Sequence, residues 1–120
     1  MIALSEIQDV VDKFSAADKA VKSVYPKVDV PLVVNLFLDK LANKKRIYTM
    51  EIIINRGEDT EEIRKRVIAG TGMAPAFYLE GTKMIISHPI DLEFLKRIND
   101  LNFVVRIKGS PYSAGGATDF

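Results

Sequence analysis

The amino-acid sequence predicts an α+β fold, an α/β sandwich in which two N-terminal helices precede a four-stranded mixed sheet. Three observations predict it. Apolar residues recur every three or four positions from Ser5 to Val24, the period of a helix. Residues 46–55 are rich in β-branched residues that alternate along a strand. From Arg46 onward the patterns read strand, helix, strand, strand, helix, strand, which predicts one domain over residues 1–109 with a βαββαβ unit at 46–108.

The first helix is predicted over residues 5–24, with polar residues between the members of its apolar stripe. Ser5 with Gln8 three residues later is typical of a helix N-terminus, where the two side chains exchange hydrogen bonds with the backbone. Tyr25 precedes Pro26, and a residue before proline is disfavoured in the helical region, so the helix is expected to end there.

The second helix is predicted over residues 31–44. Pro31 fits its first turn, where the missing N–H costs nothing, and Lys44 is one of the cations expected near its end. Its apolar residues extend almost all round, so we expect it to be buried on more than one side. Val33 and Val34 are β-branched, and a strand remains the alternative.

The βαββαβ unit starts with the strand at 46–55, which places Tyr48, Met50, Ile52 and Ile54 on one face. Its first helix is expected to be capped by Asp59 with Glu62 and to end at Gly70. We predict the remaining elements as follows: a strand at 76–79, a two-residue turn at Gly81 and Thr82, a strand from Lys83, a helix capped by Asp91, and a last strand at 103–108.

The C-terminal residues 110–120 are small, polar and rich in glycine, and we expect them to form a flexible tail. The sequence has no stretch of the roughly 18 to 20 apolar residues that a membrane span needs, so a soluble, cytoplasmic protein is expected. The formal net charge is +1, which provides no overall attraction to nucleic acid or membrane.

The chain has no cysteine, which excludes disulfides, thiolate nucleophiles and cysteine-ligated metal sites. His88 is the only histidine, and a metal cluster built on histidines within one chain is therefore excluded. No cofactor is indicated, and the sequence leans away from an enzyme.

Two layouts accommodate the same elements. The order from Arg46 is that of ferredoxin-like domains, in which a βαβ unit is split by an inserted strand. The stretch from Gly72 to Gly81, followed by a strand, by His88-Pro89 and by an amphipathic helix, resembles instead the C-terminal half of thioredoxin-like and glutaredoxin-like proteins. The two layouts are left open with about equal weight.

In the thioredoxin-like superfamily a proline, usually cis, precedes the hairpin and the closing helix, and the resemblance places Pro75 there. It covers about Pro31 to Asp100. The sequence departs from the family in two respects: it lacks the Cys-x-x-Cys motif, and the helix at 5–24 stands where the family has its first strand. Any thioredoxin-like role would therefore be binding without redox chemistry.

Candidate binding residues follow from these patterns. Ala74 and Pro75 would present a strand edge to a peptide, as the resemblance implies, while His88 and Tyr112 would line a small-molecule cleft beside them. An alternative is RNA or single-stranded DNA binding through local groups of cations. These cations are Lys44, Lys45, Arg46, Arg64, Arg66, Arg106 and Lys108.

The strand pattern leaves apolar residues on the outward face of the sheet, namely Ile47, Ile53, Ile85 and Val104. An apolar set of this size is expected to be covered, by the N-terminal helices or by a second copy of the chain. The favoured hypothesis is therefore a non-catalytic protein-interaction or oligomerisation module, with a homo-oligomer or another protein as its partner.

Overall fold

The computed structural model describes residues 3–112, which form four helices and one four-stranded sheet, as the predicted α+β class requires. The second N-terminal element is a helix and not a strand. The elements are α1 (Leu4–Val24), α2 (Val30–Leu41), β1 (Ile47–Ile54), α3 (Thr60–Thr71), β2 (Ala76–Tyr78), β3 (Lys83–Pro89), α4 (Leu92–Asn99) and β4 (Val104–Pro111).

The strand order is β2-β3-β1-β4, and every neighbouring pair is antiparallel. The prediction of a mixed sheet was therefore wrong. Helix α3 connects β1 to β2, which are parallel to each other and have β3 between them in the sheet. Helix α4 likewise connects the parallel strands β3 and β4, which have β1 between them. The strand order is that of a split βαβ arrangement. The last strand pairs with β1 and not with β2.

The thioredoxin-like resemblance remains a prediction, since it concerns sequence features around Pro75 as well as strand order. The peptide bond before Pro75 is trans. Pro75 itself is buried, and it leads directly into the short edge strand β2.

One face of the sheet carries the core. Tyr48, Met50, Ile52 and Ile54 of β1 are all at most 2% exposed, as the predicted alternation requires. Helices α2, α3 and α4 contribute the residues that cover them: Leu32, Leu36, Ile63, Leu95 and Ile98. The fold is thus two layers, with three helices on one face of the sheet.

The free edge of β4 is covered by the segment between α1 and α2. Asp29 donates its backbone N–H to the carbonyl of Ile107 at 3.0 Å, and Ile107 donates to the carbonyl of Lys27 at 2.8 Å. Arg106 adds an ion pair with Asp29 at 2.9 Å. Because these bonds occupy backbone groups that an edge strand would expose, they protect β4 from pairing with another strand.

A β-bulge in the last strand changes which side chains point to the core. Ile53 pairs with Arg106 but Ile54 pairs with Val104, so that Val105 is the extra residue. Val104 is consequently 2% exposed and belongs to the core, while Val105 is 50% exposed. Placing Val104 on the outward face was wrong, because strict alternation does not allow for an inserted residue.

The helix ends were predicted in part. Asp59 accepts from the backbone N–H groups of Glu61 and Glu62, and Asp91 accepts from that of Phe94, so both predicted caps are confirmed. The cap position of α1 is Ala3, without a side-chain bond, and not Ser5. Helix α3 continues through Gly70 to Thr71, and Gly72, with φ of 76°, is its C-cap.

The β2–β3 connection is longer than the predicted two-residue turn. Tyr78 pairs with Lys83, which leaves a four-residue loop whose first three residues, Leu79, Glu80 and Gly81, have positive φ. The predicted tail at 110–120 begins inside β4, which runs to Pro111. The rest of it, residues 113–120, lies outside the described residues.

The bulge can be tested by truncating the two adjacent valines. Val104→Ala should lower the free energy of unfolding by about 2 kcal/mol because it leaves a cavity in the core, whereas Val105→Ala should change it by less than about 0.5 kcal/mol. Urea unfolding of the two variants measures the difference. The opposite ranking would show that β4 runs without the bulge.

Candidate interaction surface

Helix α1 is 21 residues long and none of its residues is buried. Its contact with the core lies at its C-terminal end, where Val21 and the following Tyr25 are partly buried. Towards the N-terminus the apolar stripe has no cover: Leu4 is 84% exposed and Phe14 is 73% exposed. Sequence periodicity predicted the stripe, but only the structure shows that the domain does not bury it.

The stripe of α1 has the seven-residue repeat of a coiled coil. Ile7, Phe14 and Val21 occupy the a positions, and Ala3, Val10, Ala17 and Val24 the d positions. Leu4 and Val11 fall at e, where coiled coils often carry charge, and they widen the apolar stripe. A helix of this pattern is suited to packing along another helix.

Helix α2 has two apolar faces. One packs on the sheet through Leu32, Val33 and Leu36. On the opposite side, Val34, Phe37, Leu38 and Leu41 form a second stripe that is between 44% and 70% exposed. We call the exposed stripes of α1 and α2 together the N-terminal apolar surface: Leu4, Ile7, Val10, Val11, Phe14, Val24, Val34, Phe37, Leu38 and Leu41.

A buried polar cluster fixes which face of α2 is turned inward. Asp39, 6% exposed, accepts a 2.6 Å hydrogen bond from the Tyr48 hydroxyl of β1. Arg46 completes the cluster with Nε 2.9 Å from Oδ1 and 3.0 Å from Oδ2 of Asp39, and it donates to the Tyr48 oxygen at 3.1 Å. The three side chains thus join the last turn of α2 to the start of the central strand.

The protonation states in this cluster are set by its geometry. The guanidinium of Arg46, which donates two hydrogen bonds to the carboxylate, holds the pKa of Asp39 below its ordinary value despite burial. Burial together with the Asp39 carboxylate raises the pKa of Tyr48 to about 12, so that its hydroxyl remains a donor. Sequence reasoning missed this cluster, although a carboxylate on the inward stripe of an apolar helix was a visible sign of it.

The charges of α1 divide along its length. Residues 4–12 carry Glu6, Asp9 and Asp12 and no cation, a formal charge of −3. Residues 13–22 carry three lysines and one aspartate, a formal charge of +2. The helix therefore has an acidic stretch at 4–12, which lies within the uncovered half at 4–14, and a basic stretch that leads into the domain.

The candidate ligand residues do not form one cleft. His88 lies opposite Tyr48 in the register, and its ring is 5.6 Å from that of Phe94 on the helix-covered face. Tyr112 follows Pro111, which also pairs with Tyr48, and its side chain is 48% exposed. Ala74 is exposed just before the buried Pro75, on the other edge of the sheet beside β3.

The candidate nucleic-acid residues are also distributed over different faces. Arg106 and Lys108 pair in register with Ile53 and Glu51, so they lie on the open face of the sheet. Arg64 and Arg66 belong to α3, which covers the opposite face. Arg46 is bound to Asp39, as described above. Lys44 and Lys45 precede β1 at the end of the sheet.

On the open face of the sheet Ile53 and Ile85 are half-buried, and side-chain pairs make the face polar at the centre. Thr49 and Ser87 are hydrogen-bonded across β1 and β3 at 2.9 Å, and Lys83 is 2.7 Å from Glu51. Ile47, which was expected to be covered, is 43% exposed, and none of the helices α2, α3 and α4 lies on this face. The largest apolar surface is thus on the helices rather than on the sheet.

The polar cluster can be tested with Asp39→Asn, which we expect to lower the free energy of unfolding by about 2 kcal/mol at pH 7, since the buried Tyr48 hydroxyl and the half-exposed guanidinium of Arg46 lose their anionic acceptor. The pKa of Asp39 is lower in the folded chain, so the stabilisation is complete above the unfolded value near 3.8 and is lost as pH falls through the folded value. The difference between wild type and variant should therefore shrink in acid. Urea titrations between pH 7 and pH 2 measure it, and a difference independent of pH would contradict this role.

Two other features concern residues 3–112: metal ligands and membrane spans. No group of three or more potential metal ligands occurs there, and no helix in that range has the length and hydropathy to cross a membrane. Comparisons with protein-family models, with curated proteins and with solved structures found no match.

Proposed function

We propose that this protein is an oligomerisation module whose N-terminal apolar surface packs against a second copy of the chain. The observation that carries the proposal is that α1 extends an apolar stripe without burying any of its residues. Soluble proteins rarely leave an apolar patch of this size in contact with water. The support for a second copy, rather than another protein, comes from the pattern of α1 itself.

The uncovered half of α1 is complementary to itself in the antiparallel direction. With a two-fold axis between Gln8 and Asp9, Ile7 packs against Val10 of the second copy, and Phe14 against its Ala3. The e positions then bring Leu4 against Val11 of the second copy, which accounts for their apolar character. The symmetry makes every contact occur twice, as in an isologous dimer.

The same alignment makes the charges at the g positions complementary. Glu6 and Lys13 are the g positions of the uncovered half. Antiparallel packing places Glu6 of each copy beside Lys13 of the other copy. A parallel dimer would instead align Glu6 with Glu6 and Lys13 with Lys13. Because like charges at such positions are unfavourable, the pattern favours the antiparallel arrangement.

The area of the surface is adequate when α2 is included. Ten apolar side chains are 44% exposed or more across the two helices. Together they present on the order of 1,000 Å², against about 800 Å² per partner in a standard protein interface. The five on the uncovered half of α1 would provide only about half of this, so the stripe of α2 is part of the proposal.

Replacing the most exposed phenylalanine of the apolar surface tests the interface. Phe14→Asp should weaken dimerisation by at least about 30-fold, because a charge would replace a large apolar contact, with Ala3 of the other copy, at each of two symmetric positions. Phe37→Asp should weaken it as well. Light scattering after gel filtration over a range of concentrations gives the dissociation constant.

Ser15→Asp is the matched control for Phe14→Asp, since it adds the same charge to the adjacent residue, which lies off the stripe. It should leave the dimer within about threefold of wild type. A wild-type protein that stays monomeric at high concentration would refute the proposal. A dimer that is equally weakened by the control would show that charge alone, and not the stripe, is responsible.

A charge exchange tests the antiparallel register. Glu6→Lys should weaken the dimer by about tenfold, because it places two lysines together at each of two symmetric contacts. Adding Lys13→Glu should restore most of the affinity, since the pairs are then complementary again. Sedimentation equilibrium at low salt measures both changes. If the double variant is no tighter than Glu6→Lys alone, the two residues do not meet and the proposed register is wrong.

A further inference from the structure

A cleft of about 320 Å³ opens between α3 and α4 and reaches the helix-covered face of the sheet. Its floor is formed by Ile52 of β1 and by Met84 and Ile86 of β3. Val67 and Gly70 of α3 line one wall. The other wall comes from α4 and the chain that follows it, with the side chains of Phe94, Ile98, Leu101 and Phe103.

The cleft exists because α3 fills little of the space above the sheet. Ile63 is its only buried residue within the described chain, and the position that faces the cleft one turn after Val67 is a glycine. A Cβ added at Gly70 would meet no atom within 4 Å. The floor residues themselves are at most 4% exposed, so the open space lies between the two walls above them, at a volume near the lower end of the range for small-molecule sites.

Two arginines stand at the walls of this apolar cleft. The guanidinium carbon of Arg66 lies 5.6 Å from the centre of the Phe103 ring, and that of Arg97 lies 5.8 Å from the centre of the Phe94 ring. Both rings line the cleft, so each cation rests on its wall. Within residues 3–112 neither arginine has a carboxylate within 4.0 Å.

We propose that this cleft binds a medium-chain amphiphile, with its acyl chain between the walls of α3 and α4 and its anionic head between Arg66 and Arg97. Planar guanidinium groups match the geometry of a carboxylate or phosphate head. The volume of the cleft is that of about ten liquid waters, and a methylene group takes up nearly as much space as a water, so an acyl chain of about ten carbons fits. The proposal does not depend on the oligomeric state.

Decanoate, kept below its micelle concentration, is the probe, and methyl NMR of the full chain is the measurement. The methyl signals of Met84, Ile52 and Ile86 should shift on titration, while that of Ile7 on the exposed helix should not. Decanol, which has the same chain without the charge, should bind at least about fivefold more weakly. Equal binding of the two would overturn the assignment of the anionic head.

Variants of the cleft and of the two arginines test the acyl-chain contacts and the head-group contacts separately. Gly70→Leu fills the cleft and should abolish the shifts, whereas Ala69→Leu places the same side chain on the adjacent exposed position and should leave them intact. Arg66→Gln and Arg97→Gln should each weaken decanoate by about fivefold without changing decanol. Shifts that survive in Gly70→Leu would refute the site. So would a change in oligomeric state in Gly70→Leu, because a second copy and not a small amphiphile would then occupy the cleft.

Discussion

The hydrogen bond from the Tyr48 hydroxyl to the Asp39 carboxylate joins the central strand β1 to α2, the helix that carries part of the N-terminal apolar surface. Strand β1 pairs with both β3 and β4, so its position is fixed by two ladders. Tyr48 is completely buried, and its 2.6 Å bond to Asp39 fixes the rotation of α2 about its own axis. A rotated helix would carry Asp39 into solvent and leave the buried Tyr48 hydroxyl without its acceptor, which costs free energy. The cluster therefore selects which of the two apolar faces of α2 is left outside.

The order of elements and their helical or extended character could be predicted because they depend on local periodicity. The apolar alternation of β1 and the caps at Asp59 and Asp91 are local in the same sense, and the structure confirms them. The strand directions could not be derived this way, since the same order fits a mixed or an antiparallel sheet. The bulge at Val105 could not be predicted either. One inserted residue turns Val104 from the open face to the core without changing the composition of the strand.

The interaction surface was predictable only in part, since periodicity shows an apolar stripe but not what covers it. The stripe of α1 has the same pattern as that of a helix buried on a sheet, and the expectation was that the N-terminal helices would cover the sheet's outward face. That face instead pairs Thr49 with Ser87 and Glu51 with Lys83, which makes its centre compatible with water. Helices α2, α3 and α4 already occupy the other face. On the open face, Ile53 and Ile85 are already half-buried and Ile47 is 43% exposed, so that only a small apolar sheet surface remains for α1.

Because α1 has so little sheet surface to pack on, the stability of the helix itself is affected. A helical segment shorter than about 12 to 15 residues is only marginally stable by itself in water, and most helical stability in proteins comes from packing. The ion pairs Lys13–Asp9 and Lys22–Asp18 are exposed and contribute only about 0.3 to 0.5 kcal/mol each. Tertiary contact reaches α1 mainly at its C-terminal end, near Val21. The N-terminal half therefore gains its main stabilisation from whatever packs on its stripe, so that helix formation and association are coupled in this segment.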